Sequence, residues 1–127
     1  MLAQVASCGE LTVVNCGHHP PLLRHGGGLQ PLAGATTTLP FGLEDDFTAF
    51  TASWSPGDRL LLYTDGLVER RGEMLDVGLE RLREAAARNH ASVDALLLDL
   101  AERLTPNGPA DDIAILLWAL ETAGGVR

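Results

Sequence analysis

The apolar residues of this chain change from a strand pattern to a helical period after Tyr63, and that change limits the fold more than any other feature. Up to Tyr63 the apolar stretches are short and are bounded by glycine and proline. Leu11-Thr12-Val13-Val14-Asn15, between Gly9 and Gly17, reads as a strand. Pro20-Pro21-Leu22-Leu23-Arg24 and Leu29 to Leu32 read as two extended runs. His25-Gly26-Gly27-Gly28 joins them as a turn, and Pro31 places the return run at an edge. Phe47 to Trp54 has strand composition, with Phe50, Ala52 and Trp54 on one face at period two. Ser55-Pro56-Gly57-Asp58 is a turn, and Leu60-Leu61-Leu62-Tyr63 is the unbroken apolar run of a strand covered on both faces.

From Glu73 the spacing becomes helical. Leu75, Leu79, Leu82 and Ala86 predict an amphipathic helix over 73–88. Val93, Leu96, Leu97, Leu100, Ala101 and Leu104 predict a second, with Ser92 as its N-cap and Asp94 in its first turn. Thr105-Pro106-Asn107-Gly108-Pro109 stops it, and Ile113 to Trp118 is a closing strand. Strands first, then two helices before a last strand, predict an α+β fold of mostly antiparallel strands, with the helices covering one sheet face. Residues 1–120 form the domain and 121–127 a frayed tail.

Composition narrows the function. With 127 residues the chain is one domain at most, and 46% apolar content with a mean hydropathy of +0.10 argues against disorder. The formal net charge is −8, and the nine cations are all arginine. Nothing clusters them for phosphate backbones or anionic lipid, so no nucleic-acid or membrane partner is expected. No apolar stretch is long enough to span a bilayer, and Met1-Leu2-Ala3-Gln4 lacks the basic start of a signal peptide. Cys8 and Cys16 make no disulfide framework and suit a reducing compartment, so a cytoplasmic protein is expected.

Two acidic positions could carry chemistry. Asp65, in Tyr63-Thr64-Asp65-Gly66, ends a buried strand, and Gly66 permits a sharp turn. Asp111-Asp112 precedes the closing strand. If the two strands are neighbours, the carboxylates converge and need a cation or shared protons between them. Hard oxygen ligands select Mg²⁺, Mn²⁺ or Ca²⁺ over zinc. Turn and cap roles for the same aspartates stay open on spacing alone. His18, His19 and His25 match no tetrahedral zinc pattern, and nothing near Cys16 activates it as a nucleophile. A loop ordered by its own side-chain hydrogen bonds is the better reading of Asn15 to Pro20. The glycines after His25 lack a phosphate-loop ending, and Trp54 and Trp118 read as core. Glu69-Arg70-Arg71 reads as a solvated cluster; anion binding by either arginine is the alternative, and spacing does not support it.

Taken in order, four segments resemble a known family. They are Asn15-Cys16-Gly17-His18-His19-Pro20-Pro21-Leu22-Leu23, Leu39-Pro40-Phe41-Gly42-Leu43, Gly57-Asp58-Arg59-Leu60-Leu61-Leu62-Tyr63-Thr64-Asp65-Gly66-Leu67-Val68-Glu69 and Asp111-Asp112-Ile113-Ala114. They are similar to the metal-dependent PPM-type serine/threonine phosphatases, in the bacterial SpoIIE and RsbU-like branch. Cys16 stands where that branch usually has Ala, and Phe41 where it usually has Leu.

The resemblance implies part of a two-sheet β-sandwich with flanking helices and an Mn²⁺ or Mg²⁺ site at one end. It implies hydrolysis of phosphoserine or phosphothreonine on regulatory proteins such as anti-sigma-factor antagonists, by a water that the metals activate. Asp65 and Asp111 correspond to metal ligands. Asp112 follows the second ligand and orients its loop. Glu69, after Gly66, stands near a place where some relatives hold a further, weaker metal. Asn15, Gly17 and His18 shape a strand end.

The family's N-terminal Gly-Asp-(Phe/Tyr)-x-Asp strand motif has no match here, so the resemblance covers the second half of the domain. Three readings follow: a phosphatase portion completed by a complementary N-terminal half, a catalytically inactive remnant that self-associates or captures a partner, and an unrelated oxygen-ligand metal binder.

Overall fold

The computed structural model describes residues 2–6, 9–25, 28–32, 48–108 and 111–119, and the chain forms two compact units. One comprises Met1–Leu60 with Trp118–Arg127, the other Leu61–Leu117. In chain order the elements are β1 (Leu2–Ala6), β2 (Glu10–Val14), β3 (Leu22–His25), β4 (Gly28–Pro31), β5 (Ala49–Ser53), β6 (Arg59–Tyr63), a 3₁₀ turn (Asp65–Leu67), α1 (Leu75–Ala86), α2 (Val93–Leu104) and β7 (Ile115–Ala119). The fold is α+β, with two sheets ordered β1-β2-β5 and β4-β3-β6-β7. Strands β6 and β7 each belong partly to both units.

In the first unit β2 is the central strand of an antiparallel three-stranded sheet, with Val5 opposite Leu11 and Leu11 opposite Ala52. Its alternation decides the buried face. Leu11 and Val13 are buried while Thr12 and Val14 are half-buried, as a period of two requires. Strand β1 is absent from the sequence reading, because its five residues carry no apolar alternation. The hairpin read from the glycines is present: β3 and β4 pair antiparallel, with His25 opposite Gly28, and β4 ends its sheet as Pro31 requires. Trp54 is buried and its ring lies 6.2 Å from that of Trp118, tilted by 51°.

In the second unit both helices form close to where the spacing puts them. Ser92 Oγ accepts the Ala95 N–H, capping α2, and Leu96, Leu100 and Leu104 form its buried stripe. The first helix is shorter than expected, 75–86 rather than 73–88. Met74 is extended at ψ 142°, and Glu73 turns back to pair with Arg81 instead of entering the helix. Its buried face is also rotated. Gly78, Leu82, Ala85 and Ala86 are buried, while Leu75 is exposed.

The reason is Gly78: a Cβ there would lie 1.9 Å from the Val68 carbonyl oxygen, so the helix backbone rests on the segment after β6. The closing strand begins at Ile115 rather than 113 and is only half-buried, with Leu116 59% exposed. Leu39 to Leu43 and the tail 121–127 lie outside the described residues.

Candidate functional site

The second unit brings Asp65 and Asp111 to one place, through Thr64. At the end of β6 the Thr64 N–H donates to the Ala114 carbonyl at 3.1 Å. Its hydroxyl Oγ1 accepts the Ala114 N–H at 2.9 Å and donates to the Asp112 carbonyl at 3.2 Å. One side chain therefore clasps the chain that enters β7 against the end of β6. The next residue, Asp65, opens a 3₁₀ turn whose carbonyl accepts the N–H groups of Val68 and Glu69.

Gly66 lets the two backbones close. A Cβ on it would sit 2.6 Å from the Asp112 carbonyl oxygen and 3.0 Å from that of Asp111. Sequence reasoning assigned Gly66 to conformational freedom. Its φ is not positive, and what the position requires is the absence of a side chain.

The outcome is a cavity of about 260 Å³ lined by Asp65, Gly66, Glu69, Arg70, Arg71 and Asp111. Asp65 Oδ1 accepts the Gly66 N–H at 2.9 Å, and Asp111 Oδ1 accepts the Asp112 N–H at 2.7 Å. Each carboxylate is thus oriented by its own following amide, and its second oxygen bonds to no described residue. Asp112 does not line the cavity; its carbonyl holds the Thr64 clasp. Beneath the site Tyr63 is buried, and burial pushes its phenol up to about 12, so it stays neutral at ordinary pH.

Two exposed carboxylates in one cavity fit a hard divalent cation, which needs oxygen donors and keeps part of its water shell. They do not make a closed cage. Among the described residues no group of three or more His, Cys, Asp or Glu side chains is arranged to hold a metal ion.

The Asn15 loop belongs to the first unit and is ordered by its own side chains. Asn15 is buried; its Nδ2 donates to the His18 carbonyl at 2.8 Å and its Oδ1 accepts the His18 N–H at 3.1 Å. Gly17 has φ 79°, which lets the chain turn inside that bracket. His18 Nδ1 lies 2.6 Å from the His19 carbonyl oxygen, whereas His25 Nδ1 lies 2.9 Å from Asp58 Oδ2. The rings of His18 and His25 are thus engaged with different partners, and Cys16 is a half-buried free thiol.

Sequence reasoning did not single out Thr64, and it read Arg70 and Arg71 as part of a solvated cluster rather than as cavity residues. Thr64 sits between an apolar run and an aspartate, a position where a hydroxyl can serve two strands, but only the strand order reveals its partners.

Residues 6–121 match the family Stage II sporulation protein E (SpoIIE). The chain is 41% identical over 62 residues to the phosphoserine phosphatase RsbP of Bacillus subtilis (strain 168), covering 47% of this chain and 15% of RsbP. Its fold is similar to the RsbU and RsbW domains of Rv1364c from Mycobacterium tuberculosis, with a TM-score of 0.78 and 29% identity, over 89% of this chain and 33% of that one. It is also similar in fold to the catalytic domain of the serine/threonine phosphatase PstP in complex with two manganese ions, with a TM-score of 0.67 and 21% identity, over 94% of this chain and 57% of PstP; PstP is a Mycobacterium tuberculosis protein. The chain therefore spans a small part of RsbP and about a third of the Rv1364c structure.

Proposed function

Because this chain belongs to the SpoIIE family, a branch of the PPM-type phosphatases, we propose that it carries part of the catalytic face of a metal-dependent protein phosphatase acting on phosphoserine or phosphothreonine. The observation that carries this reading is the single cavity shared by Asp65 and Asp111. Asp65 and Asp111 would hold a divalent cation, Mn²⁺ or Mg²⁺, each through the oxygen its neighbouring amide leaves open. A bound ion of this kind supplies Lewis acidity and charge neutralisation for phosphate hydrolysis. Thr64 and Gly66 keep the two carboxylates in register, and Glu69 adds a third negative charge to the cavity wall.

The name of RsbP supports phosphoserine, and the pairing of RsbU with RsbW domains supports a phosphorylated regulatory protein, of the anti-sigma-factor antagonist kind, as substrate. No helix among the described residues is long and apolar enough to cross a membrane, which is compatible with work in the cytoplasm.

Two carboxylates alone hold one ion loosely, so full activity calls for a complementary N-terminal half. The test is Mn²⁺-dependent release of phosphate from a phosphoserine protein, with the full chain alone and with that half supplied by an active relative. Release that requires both pieces and disappears in Asp111→Asn supports the proposal. No release from the pair, under conditions where the intact relative works, counts against it.

A second reading, a non-catalytic interaction module, is favoured by one feature. Among the described residues strand β7 lies at the end of its sheet, and its Leu116 is 59% exposed, so an apolar strand stands at an edge. Sedimentation at micromolar concentration separates the two, since a clean monomer speaks against self-association.

A further inference from the structure

The two adjacent arginines after Glu69 have different fates. Arg70 Nη2 donates to the carbonyl of Leu104 at 3.0 Å, the last residue of α2, where the helix dipole is negative. It therefore braces the end of that helix. Arg71 is exposed and makes no hydrogen bond or ion pair with any described residue.

Arg71 nevertheless lines two cavities of the second unit. One is the cavity that holds Asp65 and Asp111. The other, also about 260 Å³, runs past Leu104, Thr105, Pro106 and Asn107. Gly66, Glu69, Arg70 and Arg71 line both, so the second cavity is a groove that adjoins the first along these four residues. In a chain of net charge −8, an uncommitted guanidinium beside paired carboxylates has a specific electrostatic consequence. A cation between Asp65 and Asp111 offsets their charge. The groove then offers an anion a fork of parallel N–H donors on one side, the geometry that suits phosphate.

We propose that Arg71 holds the phosphate of the substrate, and that the groove beyond it, along Leu104 to Asn107, takes the polypeptide flanking the phosphorylated residue. This rests on the phosphatase reading above. Arg71 acts by binding and orienting. A lysine in its place keeps the charge and loses the fork.

The probe is inorganic phosphate, titrated into the full isotope-labelled chain and followed by amide shifts in nuclear magnetic resonance, with and without Mg²⁺. In the wild type the shifts centre on Gly66 to Arg71 and extend to Asn107. Arg71→Ala weakens phosphate binding by about tenfold or more, as loss of a charge-assisted bidentate contact predicts. Arg71→Lys falls between, and Mg²⁺ still shifts the amides of Asp65 and Asp111 in all three proteins, which shows that each remains folded at the site. Equal phosphate affinity in wild type and Arg71→Ala, an equal loss in Arg70→Ala, or no phosphate shifts in the wild type would each overturn the proposal. If Mg²⁺ leaves Asp65 and Asp111 unmoved while phosphate binding still depends on Arg71, the metal reading fails and the phosphate contact stands.

Discussion

Gly66 lies so close to Asp112 that a single added carbon would reach 2.6 Å from the Asp112 carbonyl oxygen. The contact is backbone on backbone, so neither partner can swing aside. Everything proposed for the carboxylates depends on it, because it sets how near the Asp65 turn comes to the Asp111 loop.

Gly66→Ala is therefore expected to destabilise the chain by about 1–3 kcal/mol, the range for overpacking a close contact. It should also weaken Mn²⁺ binding, although it touches neither carboxylate. Urea denaturation and calorimetric titration check the two effects. An alanine variant with unchanged stability and unchanged ion binding would show that the close approach is dispensable.

The ion itself is tested by isosteric changes. Asp65→Asn keeps an oxygen for the Gly66 N–H but removes the charge, so Mn²⁺ affinity should fall by roughly tenfold or more. Asp112→Asn should leave it almost unaltered, because Asp112 contributes its carbonyl to the Thr64 clasp. Calorimetry with Mn²⁺ on the two variants separates ligand from neighbour, and equal heats from both would remove Asp65 from the site.

Gly78 predicts a reversal of sign. In the middle of an exposed helix Gly→Ala stabilises by about 1 kcal/mol. Here the new Cβ would meet the Val68 carbonyl oxygen at 1.9 Å. Gly78→Ala should instead cost about 1–3 kcal/mol as α1 is pushed outward. Thermal unfolding of the variant gives the sign directly.

Asp58 and His25 form an unequal pair. Asp58 is buried and accepts the Ser55 N–H at 2.8 Å as well as facing His25 Nδ1 at 2.9 Å. Asp58→Ala leaves that turn amide without its acceptor and should cost about 1–3 kcal/mol. His25→Ala should cost much less, because the imidazole is 59% exposed. Denaturation midpoints for the two variants test the ranking.

Asp99 supplies an acid-sensitive contact. Hydrogen bonds from His90 and then from Arg103 hold its carboxyl below the usual 3.8. A carboxyl lowered by folding contributes stability above its unfolded value and loses it as pH falls through the folded one. Stability should thus decline below pH 3.8 more steeply in the wild type than in Asp99→Asn. Urea midpoints measured across that range compare the slopes, and parallel curves would show that the pair contributes nothing.

Period and punctuation were enough to read most of the elements. The alternation of Leu11 and Val13, the turn at Ser55 to Asp58, the Ser92 cap and the stripe of Leu96, Leu100 and Leu104 are local properties, set within a few residues by side-chain direction and backbone preference. The same reading singled out Asp65 and Asp111, because an aspartate at a strand end is visible without knowing what faces it. What it could not supply were contacts between residues far apart in the chain. Thr64 meets Asp112 and Ala114, Gly66 rests on the 111–112 backbone, Gly78 rests on Val68, and Arg70 spends its donor on Leu104 while Arg71 keeps its own. Each depends on which strand lies beside which and how closely two backbones approach, and those are decided by packing in three dimensions. A glycine looks the same in sequence whether it bends the chain or merely makes room, so its purpose became legible only when its neighbours were known.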